Sequence, residues 1–135
     1  MLLETTILLI FSYLMGNFPS GFLYAKTFQK TDIRTIGSGS TGAMNVYRNT
    51  NKTGFFITFL SDILKGSIVI FLVSKLLSSS EVLTGFCGTF VILGHIYPIL
   101  MKFKGGISKF SAGILLFIYM LFLYFNFQFG LESWM

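Results

Sequence analysis

Charge is scarce in this chain of 135 residues: five acidic and ten basic side chains make up 11% of it. Ordinary globular domains carry about twice that share, so a soluble fold is excluded on composition. There is one cysteine, and Cys87 lies inside an apolar run, which rules out a disulfide framework and leaves it to pack as a small hydrophobe. The single histidine, His95, has no second His, Cys or carboxylate near it in sequence, so no metal site is indicated. No Walker-type run is present, and with it no nucleotide cofactor is indicated. No period of 20 to 50 residues repeats, and there is no low-complexity tract or linker, so residues 1–135 read as a single membrane domain.

What the chain has instead is apolar length. Hydrophobic residues make up 53% and aromatics 18%, with a mean hydropathy of +0.76. Four stretches reach the ~20 residues that cross a bilayer core as a helix: about 5–25, 55–73, 82–101 and 110–131. The last two contain no Asp, Glu, Lys or Arg. The expected fold is therefore an all-α, polytopic membrane bundle of about four helices. No basic residue precedes the first stretch and Glu4 stands where a signal peptide would be positive, so that stretch is expected to be retained as a span.

Basic residues set the orientation. Lys26, Lys30, Arg34, Arg48 and Lys52 follow the first stretch, and Lys102, Lys104 and Lys109 follow the third. Short loops rich in Lys and Arg stay in the cytoplasm, which predicts the N-terminus outside and a Gly/Ser-rich cytoplasmic loop after the first span. The net charge of +5 is accounted for by this sidedness and by anionic headgroups, without nucleic acid.

The polar segment from Asp32 to Lys52, DIRTIGSGSTGAMNVYRNTNK, reads as an anion site at the membrane surface. Gly37, Gly39 and Gly42 allow tight turns and close approach to a ligand, Ser38, Ser40 and Thr41 offer hydroxyls, and Arg34 and Arg48 bring positive charge. MKFKGGISK, after the third stretch, is a second candidate cradle or merely a headgroup contact. Within the second stretch Asp62 and Lys65 stand three apart on one helical face, either as a structural ion pair or with Lys65 turned to a phosphate. Two readings also stay open for GNFPSG at Gly16–Gly21, a packing notch kinked at Pro19 or a ligand contact. His95 is a neutral imidazole bonded to another helix or, alternatively, a catalytic base.

Together these pieces resemble the bacterial membrane glycerol-3-phosphate acyltransferases that use acyl phosphate as donor. The resemblance is carried by YLMGNFPSGFLYAK, DIRTIGSGSTGAMNVYR, DILKG and GHIYPILMKFKGG. SGSTGAMNVYR is similar to the family pattern SGNxGATNxxR at Ser38, Gly39, Gly42, Ala43, Asn45 and Arg48, and departs from it at Ser40 and Met44. After the second motif the chain reads GGISKFSAG where the family has GGKGVAT. The family's third motif, a His and an Asn followed by a Glu, has no counterpart, so the chain resembles a C-terminally shortened member.

The resemblance implies transfer of an acyl group from acyl phosphate to the C1 hydroxyl of glycerol 3-phosphate, giving lysophosphatidic acid, the first acylation of phospholipid synthesis. It implies Ser38 and Arg48 as catalytic residues, with Gly39, Gly42, Asn45, Lys65, Lys104, Gly105 and Gly106 binding substrate. It further implies a multi-pass protein of the bacterial inner membrane with a cytoplasmic active face, with membrane lipid and the soluble enzyme that makes acyl phosphate as partners. Alternatives are an inactive shortened homologue that binds phosphate or a partner, and a small anion-transport subunit with Asp62, Lys65 and His95 along its path.

Overall fold

The computed structural model describes residues 2–76 and 80–106, and every regular element among them is helical. Helix α1 spans Leu2–Gly16 and α2 spans Ser20–Phe28. Pro19 separates them, since it has no N–H to donate and disfavours helical backbone in the residue before it. A 3-10 turn at Ile33–Thr35 leads to a short helix α3, Ala43–Asn49. This helix falls inside the segment that the sequence presents only as a polar loop. Helix α4 covers Lys52–Phe71 and closes in a π turn at Leu72–Leu76, and α5 covers Glu81–Ile96 before a 3-10 turn at Ile99–Met101.

Three segments are long and apolar enough to cross a bilayer: Leu2–Phe28, Lys52–Lys75 and Glu81–Met101, of 27, 24 and 21 residues. They coincide with the first three expected stretches, each extending a little beyond them. The third is not helical throughout, because Pro98 ends α5 at Ile96 and turns the chain back. The fourth expected stretch, 110–131, lies outside the described residues, as does Lys109.

Side chains cap the N-termini of α4 and α5. Asn51 Oδ1 accepts from the Gly54 amide at 2.8 Å to start α4, and from the Tyr24 hydroxyl at 2.9 Å, which ties α2 to the same point. Ser80 Oγ accepts from the Leu83 amide at 3.2 Å to start α5.

Helices α1 and α5 cross at two glycines. A methyl on Gly16 would collide with the Val91 carbonyl, and one on Gly94 with the Tyr13 carbonyl. Small residues at such crossings let backbones approach in a bilayer, where packing rather than water exclusion drives association. One core cluster joins Val69 and Val73 of the α4 end to Cys87 and Val91 of α5. A second joins Phe22, Tyr24 and Ala25 of α2 to Ile33 and Val46, and so seats the loop and α3 on the end of the bundle. Leu3, Ile7, Phe56, Leu60 and Ile68 face outward and exposed, a surface that suits lipid rather than water.

A candidate anion site between two glycine loops

The polar loop is folded around one amide. Asn45, the third residue of α3, is buried, and its Nδ2 donates to the carbonyls of Ser40, Ile36 and Ile33 at 2.8, 3.2 and 3.3 Å. Its Oδ1 accepts from the Ser38 amide at 3.1 Å and from Asn49 Nδ2 at 2.9 Å. Five bonds on one side chain fix the path of residues 33–40. Gly37 and Gly39 make that path possible, with φ of +57° and +69°. A methyl on Gly37 would also strike the Asn45 and Asn49 amides.

At the loop entrance Asp32 holds Arg34 twice over. Its carboxylate accepts from the guanidinium, at 2.9 Å from Nε and 2.6 Å from Nη2, and from the Arg34 amide at 3.0 Å. The guanidinium bond and then the amide bond draw the Asp32 carboxyl down to about 2, and the same carboxylate raises Arg34 above its ordinary value. The guanidinium also lies over the Phe22 ring, 4.6 Å from its centroid. Arg34 is thus spent on the loop itself.

The second glycine segment closes against the first. The Thr41 amide donates to the Gly105 carbonyl at 3.2 Å, the Ser40 hydroxyl to the same carbonyl at 2.8 Å, and the Thr41 hydroxyl to the Lys104 carbonyl at 3.3 Å. Gly42 sits directly on the Gly106 backbone, where a methyl would collide with its carbonyl. Lys104 Nζ donates to the Arg34 carbonyl at 3.0 Å and stands 4.0 Å from where a Gly39 methyl would be. The approach to this junction is strained, since Lys102 and Phe103 both hold left-handed backbone, with φ of +53° and +60°.

Behind the junction lies a polar cluster between spans. Lys65 is buried, with Nζ 2.9 Å from Asp62 Oδ1, 2.9 Å from His95 Nδ1 and 3.3 Å from the Phe18 carbonyl at the break before Pro19, which also accepts from the Ser20 amide at 3.2 Å. The Ser20 hydroxyl donates to Asp62 Oδ1 at 3.0 Å. His95 in turn touches the second loop, its carbonyl accepting from the Gly106 amide at 3.2 Å and its ring edge lying against Gly106 Cα.

Of the residues singled out from sequence, the structure brings Gly39, Gly42, Lys104, Gly105 and Gly106 to one junction. Ser38 lies exposed on the loop, and Arg48 is exposed on α3, its side chain without a hydrogen bond or ion pair among the described residues. Asn45 and Lys65 are placed differently from the ligand-facing groups expected of them. Asn45 is saturated by loop backbone, and the three hydrogens of the Lys65 ammonium face three protein acceptors. Ser40, in the sequence one of three loop hydroxyls and a departure from the family pattern, joins the Thr41 hydroxyl in tying the two loops together. Asn49, one helical turn after Asn45 and bonded to its Oδ1, was not singled out from sequence. Among the described residues no three His, Cys, Asp or Glu gather as a metal site would require. A separate cleft of about 370 Å³ is lined by Met44, Tyr47, Lys52, Phe55 and Phe56, none of them at the junction.

A family model described as "Glycerol-3-phosphate acyltransferase" matches residues 6–132. The chain belongs to the glycerol-3-phosphate acyltransferase family. Two curated relatives of that name show the degree of likeness within it. The one from Staphylococcus saprophyticus subsp. saprophyticus is 49% identical over 119 residues, covering 82% of this chain and 58% of the relative. That from Staphylococcus aureus (strain Newman) is 45% identical over the same length and coverage. The chain thus spans little more than half the length of these relatives. Among solved structures, PlsY (YgiH), an integral membrane glycerol 3-phosphate acyltransferase, superposes in its glycerol 3-phosphate form with a TM-score of 0.68 at 37% identity, over 76% of this chain and 51% of PlsY. Its lysophosphatidic acid form gives 0.66 at 36% identity, over 76% and 50%.

Proposed function

We propose that this member of the glycerol-3-phosphate acyltransferase family transfers an acyl group from acyl phosphate to the C1 hydroxyl of glycerol 3-phosphate. The observation that carries the reading is the closed junction of two glycine loops, with Lys104 beside Gly39 and Ser38 exposed on the same loop. Both substrates bear phosphate, and the junction offers small residues, hydroxyls and cations. In the reaction the C1 oxygen bonds to the acyl carbon as the bond from that carbon to the phosphate oxygen breaks. The hydroxyl proton leaves with the phosphate, so lysophosphatidic acid and inorganic phosphate are the products. Acyl phosphate is already activated, so positioning and charge neutralisation carry most of the catalysis.

In this reading Ser38 and Arg48 act on the reacting groups, Arg48 holding a phosphate with two parallel N–H bonds. Gly39, Gly42, Lys104, Gly105 and Gly106 surround the substrates, while Asn45 and Lys65 support them from behind. The protein is a single domain of the bacterial inner membrane with 110–131 as its fourth span. The loops face the cytoplasm, where a soluble enzyme supplies acyl phosphate.

The test is acyl transfer from a long-chain acyl phosphate to labelled glycerol 3-phosphate, with purified protein in lipid nanodiscs. Labelled lysophosphatidic acid is expected from the wild type, and Ser38→Ala and Arg48→Ala are each expected to lower the rate about 100-fold or more. No product from folded protein would sink the enzymatic reading and leave a binding role.

A further inference from the structure

His95 joins the buried ionic cluster to the second glycine loop, and neither its sequence context nor the reaction as proposed uses it. Its Nδ1 is 2.9 Å from Lys65 Nζ. Lys65 also lies 2.9 Å from the half-buried Asp62 carboxylate, which pairs with its buried nitrogen as ammonium. An ammonium carries three donors and no acceptor, and here it meets three acceptors: Asp62 Oδ1, the Phe18 carbonyl and His95 Nδ1. Nδ1 must therefore accept, and the imidazole proton resides on Nε2.

That proton has somewhere to go. The Cε1–Nε2 edge of the ring is the part turned to Gly106, and a methyl added at Gly106 would collide with both of those atoms. Among the described residues Nε2 has no hydrogen-bond partner, and the His95 side chain keeps 18% of its surface accessible. The result is a neutral N–H donor of fixed tautomer, held at a loop that carries the charge of Lys104. The main chain enforces the same arrangement, because the His95 carbonyl accepts from the Gly106 amide and Gly105 packs on the Ile96 carbonyl.

We propose that His95 Nε2–H donates a hydrogen bond to the acyl phosphate bound at the Lys104–Gly106 loop, and that Lys65, fixed by Asp62 and the Phe18 carbonyl, is the positioning residue that sets the tautomer. This rests on the acyltransferase reading for the identity of the ligand. It assigns Lys65 a role through His95 rather than a direct contact with phosphate. A neutral donor suits this position, since it strengthens the grip on an anionic oxygen without adding a further buried charge.

Two conservative variants separate the proposal from mere packing. Glutamine carries its amide nitrogen near the place of Nε2, whereas asparagine reaches only that of Nδ1. His95→Gln is expected to keep the Michaelis constant for acyl phosphate within about 3-fold of wild type, and His95→Asn to raise it about 10-fold or more, with that for glycerol 3-phosphate unchanged in both. Lys65→Met combined with Asp62→Asn, which removes the ion pair without stranding a charge, is expected to behave like His95→Asn.

Binding of a non-hydrolysable long-chain acyl phosphonate, measured by titration calorimetry on the full chain in detergent, reads the same contact without turnover. If the wild type binds the phosphonate but makes no product, the acyltransferase reading fails and the contact survives, provided that His95→Asn weakens binding and His95→Gln does not. Equal affinities for wild type, Gln and Asn would overturn the proposal, as would equal loss of both substrates or failure of the wild type to bind.

Discussion

Asn45 shows how much of a functional loop one side chain can carry. It satisfies three carbonyls with a single amide nitrogen and two donors with a single oxygen, so neither half of the amide is interchangeable with the other. Asn45→Asp keeps the acceptor for Ser38 and sets an anion against the carbonyls of Ile33, Ile36 and Ser40. The expected cost is about 1–3 kcal/mol of local stability, read as about 5- to 150-fold faster amide hydrogen exchange over residues 33–45. Unchanged exchange there would mean that the glycine turns, not the amide, hold the loop. Asparagine at this position was visible in sequence, but its part was not, because a motif residue beside a phosphate cradle looks the same whether it faces the ligand or the backbone. The opposite held for Ser40, whose partner at Gly105 is 65 residues away and beyond any local pattern.

At the scale of elements, the apolar lengths were plainly written and the interruptions less so. Three of the expected stretches have helical counterparts, since ~20 apolar residues have no other way to satisfy their backbone in lipid. The break at Pro19 and the stop before Pro98 follow from proline chemistry. Their consequences needed the fold: the Phe18 carbonyl, bonded locally to the Ser20 amide, also accepts from Lys65 at 3.3 Å, and the Tyr97 carbonyl accepts from the Tyr13 hydroxyl at 2.7 Å, each donor from another segment. Glycines sort the same way. A methyl on Gly66 would meet nothing within 4 Å beyond its own helix among the described residues, whereas Gly42 rests on the Gly106 backbone, which has no flexible end to yield. Gly42→Ala is expected to part the two loops and cost about 1–3 kcal/mol, and Gly66→Ala to be neutral or slightly stabilising. Thermal unfolding in detergent, with helix content followed by circular dichroism, checks both. A Gly42→Ala protein as stable as Gly66→Ala would show that the loop contact is loose.

For the whole molecule, the proposed orientation rests on where its cations gather. Lys30, Arg34 and Arg48 fall between the first two membrane-length segments, Lys26 and Lys52 stand at the ends of those segments that border this connection, and Lys102 and Lys104 follow the third, so all seven emerge at one end of the bundle. The Lys104–Gly106 contacts with Ser40 and Thr41 require that these two connections share a side of the membrane, whichever side it is. Inward retention of basic loops then selects the cytoplasm for both. The protein carries its own silent background for a test, because Cys87, the sole cysteine, is fully buried. A membrane-impermeant maleimide applied to intact spheroplasts is expected to leave wild type and Lys30→Cys unmodified and to label Glu81→Cys, an exposed position at the start of α5. Lysis should expose Lys30→Cys to the reagent. Labelling of Lys30→Cys from outside would invert the bundle and remove the site from the cytoplasmic supply of acyl phosphate, so the same result would count against the proposed donor.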